Sequence, residues 1–222
     1  PPRSTPLYSS AASDVYKRQV DQDKPANSYE ISFPQGVVWG LMGCVAAFGT
    51  GMATERARGT LVRLTMAPLS KAQVIAGKAL ACFIACILVQ LILLALATLV
   101  FQVRVREPVL MGVAILASSL GFVGVMMALA GLCRTEAAAN GGGRAIILLL
   151  AMIGGGTVPL FILPRWMQTA SGISPFKWTT TAIEGAVWRG FSAGDMLLPV
   201  GVLLAFGLVG FIIGTATLRW TE

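Results

Sequence analysis

From Glu30 onward the charged residues of this chain leave five stretches without a single Asp, Glu, Lys or Arg: Ile31–Thr54, Ala79–Val103, Pro108–Cys133, Ala145–Pro164 and Met196–Leu218. A helix rises about 1.5 Å per residue, so about 20 residues cross roughly 30 Å of hydrocarbon, and each stretch is long enough. One charge at the centre of a span costs about 2.5–3.5 kcal/mol on insertion, which is the physical reason such windows stay free of charge. The pattern predicts an all-α, polytopic transmembrane helix bundle with five spans. Composition agrees: 55% of residues are apolar, 12% are charged and the mean hydropathy is +0.75, a balance unsuited to a soluble surface.

The same inventory excludes several functions. With no histidine, the chain carries neither a Ser-His-Asp triad nor an HExxH zinc site, and it contains no G-x-S-x-G elbow. No catalytic residue is assigned. Asn140-Gly141-Gly142-Gly143 lacks the Lys-Ser/Thr of a phosphate-binding loop and reads as a flexible turn. Cys44, Cys82, Cys86 and Cys133 all lie within apolar runs and read as small buried hydrophobes, with no metal site. The net charge of +7 comes from residues between apolar runs and not from a basic patch interleaved with aromatics, so no nucleic-acid partner is expected. The spans hold no ionisable group, which leaves coupling to an ion gradient little to act on.

Orientation follows from the basic residues in alternate connections. Arg56, Arg58, Arg63, Lys71, Lys78, Arg134, Arg144 and Arg219 fall on one side, against Arg104, Arg106, Arg165, Lys177 and Arg189 on the other. The richer side is assigned to the cytoplasm. The chain then starts outside and ends inside, and Trp39, Trp166, Trp178, Trp188 and Trp220 fall towards the two interfaces. Residues 1–19 differ abruptly in composition and read as a non-native or disordered tail; 20–30 read as an external remnant and 31–222 as the membrane domain. The first methionine is Met42, inside an apolar run, so a preceding natural portion is expected.

Three connections stand out. Glu55–Lys78 is the densest cluster of charge, with Ala57, Leu61 and Leu64 on one helical stripe and Arg56 and Arg63 on another flank, the pattern of a short interfacial elbow helix. Pro68 stops it, and Ser70 with Gln73 has the spacing of a capping box that starts the next helix. Between the last two spans, Leu163–Asp195 is too polar to cross, and its breaks at Ser171-Gly172 and Ser174-Pro175 predict two short helices dipping into the outer leaflet. Glu184 there is expected to pair with Lys177 or Arg189. Gly154-Gly155-Gly156 and Pro159 interrupt the fourth stretch, permitting either a bend that serves a gate or close helix packing. Gly36-x-x-x-Gly40 and Gly210-x-x-x-Gly214 serve either packing within the bundle or a dimer contact.

Two motifs carry a resemblance. Glu55-Arg56-x-Arg58-Gly59-Thr60-Leu61-x-Arg63-Leu64, followed by Ala67-Pro68-Leu69-Ser70 and Gly77-Lys78, resembles the cytoplasmic elbow of type-2 ABC transporter permeases. Pro159-Leu160-Phe161-x-x-Pro164-x-Trp166-Met167, Ser174-Pro175-Phe176-Lys177-Trp178 and Glu184-Gly185-Ala186-x-Trp188-Arg189-Gly190 look like that family's outer re-entrant segment. The likeness covers roughly residues 32–220. It implies a six-span half-transporter in the bacterial cytoplasmic membrane, here without its first span, that pairs with a second permease half as a homo- or heterodimer. Two cytoplasmic ATP-binding subunits would bind ATP and Mg; this chain would hold no cofactor.

The resemblance further implies that the elbow, with Glu55, Arg56, Arg58, Gly59, Thr60, Leu61, Arg63 and Leu64, couples ATP-driven movement to the spans. Leu61 and Leu64 would seat it while Arg56 and Arg63 pair with acidic groups of the ATPase, attraction of the arginines to anionic lipid being the alternative. Phe48, Met152 and Thr157 are candidates for the translocation path. Trp166, Lys177, Trp178, Glu184, Trp188 and Arg189 mark the outer segment. The function implied is export of an apolar or amphipathic substrate such as a drug, lipid or lipid-linked glycan; a gradient-driven transporter or channel and a non-catalytic membrane scaffold are the alternatives.

Overall fold

The computed structural model describes residues 28–59, 70–133, 135–157 and 164–217. Four helices among them are long and apolar enough to cross a bilayer. These are α1 (Ser28–Ala57), α2 (Lys71–Leu99), α3 (Pro108–Leu132) and, last in the chain, α7 (Ala193–Thr217). Between α3 and α7 stand α4, formed by Glu136–Ala138, a π-helical turn at Ala139–Gly143 and Arg144–Ile153 in unbroken succession, then α5 (Arg165–Ala170) and α6 (Pro175–Glu184). The described residues form a helical membrane bundle without strands, as the sequence predicts.

α3 is the axis of the bundle. It touches α1, α2, α6 and α7, and its side chains from Met111 to Gly131 are mostly buried. The contact with α7 is made by backbone. A methyl group added at Gly210 would stand 2.5 Å from the Gly124 carbonyl oxygen, one at Gly214 2.4 Å from that of Met127, and one at Gly207 2.9 Å from that of Leu120. Gly210-x-x-x-Gly214 therefore packs inside the bundle. Gly40 does the same on α1, where a methyl would meet Val89 of α2 at 2.6 Å. With lipid tails as apolar as the side chains themselves, such close packing is what holds membrane helices together.

A polar contact joins α2 to α3 in the middle of the bundle. The Gln90 amide donates to Ser119 Oγ at 2.9 Å and to the Cys86 carbonyl at 3.2 Å, and its oxygen accepts from Ser118 Oγ at 2.9 Å. All three side chains are fully buried. A buried amide that finds partners in this way ties helices together instead of incurring the penalty of an unmet polar group.

The fourth expected span differs in register. Its helix begins earlier, at Glu136, so Asn140–Gly143 lies in a π-helical turn and not a flexible loop. It also ends earlier, at Ile153. Gly154 leaves the helical region, Gly155 adopts a φ of 91°, and the Gly156 N–H returns to the Ala151 carbonyl at 2.8 Å. The glycines thus end a helix instead of bending one, and Ala139–Ile153 is shorter than a full crossing. A methyl at Gly154 would meet Phe176 Cβ and Ser174 Oγ, both at 2.7 Å, because α6 starts against this end. Pro159 lies outside the described residues.

Candidate functional site

At one end of the bundle, the elbow end, α1 closes with Glu55 and Arg56. The helix stops because Gly59 takes a φ of 69°, with its N–H returned to the Arg56 carbonyl at 3.0 Å, a glycine-type helix termination. The sequence reading starts the elbow helix at Glu55 and stops it at Pro68. The structure corrects the beginning: Glu55 and Arg56 form the last turn of the first span. Thr60, Leu61, Arg63 and Leu64 lie outside the described residues. After them Ser70 caps α2 as predicted, accepting from the Gln73 N–H at 3.3 Å while the Ser70 N–H donates to Gln73 Oε1 at 2.8 Å.

The two adjacent charges point to different helices. Glu55 forms an ion pair with Lys78 of α2, and Arg56 Nη2 donates to the Ala130 carbonyl near the end of α3 at 2.9 Å. The last carbonyls of a helix lack partners within it and carry its negative dipole end, so a guanidinium there is well placed. One dipeptide fastens α1 to both neighbours. Arg58 beside it is exposed.

At the opposite end the short helices of the Leu163–Asp195 connection pack onto the bundle. Ser174 begins α6, accepting from the Phe176 N–H at 3.3 Å and donating to the Leu150 carbonyl of α4 at 2.7 Å. Lys177 Nζ donates to the Gln168 carbonyl at 2.8 Å and Trp178 Nε1 to that of Gly172 at 2.9 Å, which folds α6 back on α5. Trp39 of α1 donates to the Gly156 carbonyl at 2.9 Å. The Phe176 ring packs against Phe122 of α3 in a tilted arrangement, 4.7 Å between centroids and 55° between planes. The two predicted helices are present, with a short 3-10 turn at Ser171–Ile173 between them.

α6 continues into a π-helical turn, Gly185–Arg189, and the wider coil brings residues five apart onto one face. Arg189 Nη2 thereby reaches Glu184 at 2.6 Å. Of the two partners the sequence offers, Arg189 is the one used. Glu184 is 2% exposed. Burial pushes its carboxyl above the usual carboxylate range, and the Arg189 charge pulls the other way without cancelling it. Arg189 also lies over the Trp188 ring, 5.0 Å from its centroid, while Trp166 projects outward and is 71% exposed.

The three path candidates are not brought together. Phe48 lines a cavity between α1 and α2 at the elbow end, whereas Met152 and Thr157 are exposed at the far end of α4. Sequence reasoning missed the Gln90–Ser118–Ser119 contact. Its signal was present as a lone amide in one apolar run and a serine pair in another.

Comparison with known proteins gives this geometry its context. No solved structure matches the chain. The linearmycin resistance permease protein LnrN of Bacillus subtilis (strain 168) is 27% identical over 183 residues, covering 82% of this chain and 47% of that protein. The chain spans about half the length of that curated relative. The family model for ABC-2 family transporter proteins matches residues 4–216, which begins within the tail that composition sets apart and takes in the described helices up to the last residue but one of α7. That match shows that this multi-pass membrane protein belongs to the ABC-2 transporter family.

Proposed function

We propose that the chain is the membrane-spanning permease part of an ATP-driven exporter, with the elbow end facing the cytoplasm of a bacterial cell. Separate ATP-binding subunits would bind ATP and Mg and drive it, and a second permease half would complete the path. The substrate class is an apolar or amphipathic molecule. Family membership supports the permease role, and a relative named for resistance to linearmycin supports outward movement of a harmful compound.

The observation that carries the coupling role is the double attachment of Glu55 and Arg56. An elbow tied to one span would move that span alone. Attachment to Lys78 and to the Ala130 carbonyl passes the same displacement to α1, α2 and α3 together. Two states can interconvert under ATP only if contacts differ between them, and these polar links are well suited to exchange. Arg56 then acts within the permease, which leaves exposed Arg58, with Arg63, to face acidic groups of the ATPase.

The test is co-purification of the complete, tagged gene product from a host expressing its neighbouring ATP-binding subunits. Stoichiometric ATPase and ATP-dependent uptake of an amphipathic dye into inverted vesicles are expected. An Arg58→Glu, Arg63→Glu variant should lose the ATPase. Uptake that persists without ATP would overturn the ATP-driven reading.

A further inference from the structure

Three thiols that the sequence scatters over two apolar runs meet on the seam between α1 and α2. These helices run antiparallel: a methyl at Gly40 of α1 would stand 2.6 Å from Val89 of α2, and Glu55, further along α1, pairs with Lys78, further back on α2. That register sets Cys44, one turn beyond Gly40, opposite Cys86, about one turn before Val89. The Cys44 and Cys86 thiols are hydrogen-bonded across the seam, and Cys82, one turn away on α2, reaches Cys86. All three are free thiols.

A disulfide needs Cα atoms about 4.4–6.8 Å apart, a spacing that two helices reach where a small residue lets them approach. Gly40 gives the seam that approach within a turn of both thiols. Cys82 is the poorer partner for Cys86, because side chains four apart on one helix point the same way instead of towards each other. The paired thiols also differ in access. Cys86 is fully buried and its carbonyl accepts from Gln90 at 3.2 Å. Cys44 is half-buried, one turn from Phe48 at the edge of an opening of about 640 Å³ that Gly51 and Gly77 also border. A small apolar reagent in the bilayer therefore meets Cys44 first, with Cys86 next to it.

We propose that Cys44 and Cys86 are an oxidisable pair that reacts with an apolar hydroperoxide and closes into a disulfide between α1 and α2. The Cys44 sulfur attacks the terminal peroxide oxygen, the O–O bond breaks, and an alcohol leaves with the thiol proton, so Cys44 becomes a sulfenic acid. The Cys86 sulfur then displaces the sulfenic oxygen, which leaves as water with the Cys86 proton. One hydroperoxide is reduced to its alcohol and two thiols are oxidised to one disulfide. The bond would fix the angle at which α1 crosses α2. It requires neither ATP nor a transported substrate, so it goes beyond the export reading and is tested apart from it.

The experiment treats membranes holding the complete gene product with tert-butyl hydroperoxide, blocks remaining thiols with N-ethylmaleimide and digests the protein with trypsin without reduction. Cleavage at Arg56 and Lys78 puts Cys44 on one peptide and Cys82 with Cys86 on another, Ala79–Arg104. Mass spectrometry should find the two joined through Cys86, and dithiothreitol should separate them. Oxidation should also raise Tm in detergent by about 5–10 °C. Cys82→Ala should keep the link and Cys86→Ala should lose it; Cys44→Ala, at the half-buried position, repeats the loss if Cys86→Ala does not fold. Cys133, whose Sγ faces the Ala138 carbonyl at 3.8 Å, should stay unlinked. Oxidised Cys44 without a joined peptide would overturn the pairing, and a link that persists in Cys86→Ala would overturn Cys86 as the partner. Unoxidised Cys44 in a folded, treated sample would overturn the site.

Discussion

Gly124 of α3 and Gly207 of α7 meet backbone to backbone: a methyl group on Gly124 would lie 2.1 Å from the Gly207 carbonyl oxygen and 2.6 Å from its Cα. Neither atom belongs to a side chain that can turn aside, so the helices must separate to admit any larger residue. Gly124→Ala is expected to destabilise the bundle by about 3 kcal/mol, at the upper end of ordinary overpacking. Gly51→Ala, facing open space, should instead stabilise by about 0.5–1 kcal/mol through helix propensity. Unfolding in detergent monitored by circular dichroism separates the two; a neutral Gly124→Ala would show that the seam is looser than described.

Gln90 holds α2 to α3 through bonds that no apolar residue can replace. Gln90→Leu should cost about 1 kcal/mol, within the range measured for hydrogen bonds between membrane helices. The loss is limited because Ser118 and Ser119 keep their bonds to the Ile115 carbonyl, at 3.1 and 2.7 Å. A double-mutant cycle with Ser118→Ala, read by unfolding, should give a coupling of about 0.5 kcal/mol or more.

Arg56 is expected to act inside the permease. Arg56→Met should leave the ATPase bound while lowering ATP-dependent uptake about tenfold, equivalent to about 1.4 kcal/mol of lost coupling. Arg56→Lys should recover only part, since an ammonium lacks the reach and planar geometry of the guanidinium that meets the Ala130 carbonyl. Loss of the ATPase in Arg56→Met would assign the residue to docking instead.

Glu184 gives stability a pH dependence of definite sign. Burial raises its carboxyl above the value it has in the unfolded chain, so the folded state holds a proton over a window where the unfolded state has released it. Stability therefore falls as pH rises through that window, starting from the ordinary carboxylate range. Arg189→Met removes the opposing charge and should widen the window upward, with a loss at neutral pH of about 2 kcal/mol, below the full value for a buried pair because Arg189 is partly exposed. Glu184→Gln should flatten the profile. Unfolding measured between pH 4 and pH 8 in buffers of equal ionic strength, taken as about 0.15 M, checks both.

Charge-free windows made the spanning helices readable, because one charge in hydrocarbon outweighs the small preferences that blur helix boundaries in soluble proteins. Ser70 with Gln73 and the breaks at Ser171 and Ser174 were readable for a similar reason: each marks a local backbone requirement within a few residues. What could not be read was where helices meet. Gly40, Gly51 and Gly77 look alike in the sequence, yet the first touches a neighbouring helix and the other two face an opening. That distinction depends on the angle between α1 and α2. Arg56 likewise reads as a surface charge until the end of α3 is placed beside it.

The early end of α4 leaves that helix short of a full crossing and puts a joint at its end. Where other helices pass through as single rods, α4 stops at Ile153 and α6 starts against it, joined by the Ser174 hydroxyl at the Leu150 carbonyl. A continuous helix meets a change in bilayer thickness by tilting as a whole. A joint between two shorter pieces can yield at its seam, so stretching or thinning of the surrounding membrane would be felt first at Ser174, beside the buried Phe176 and within one short helix of Glu184.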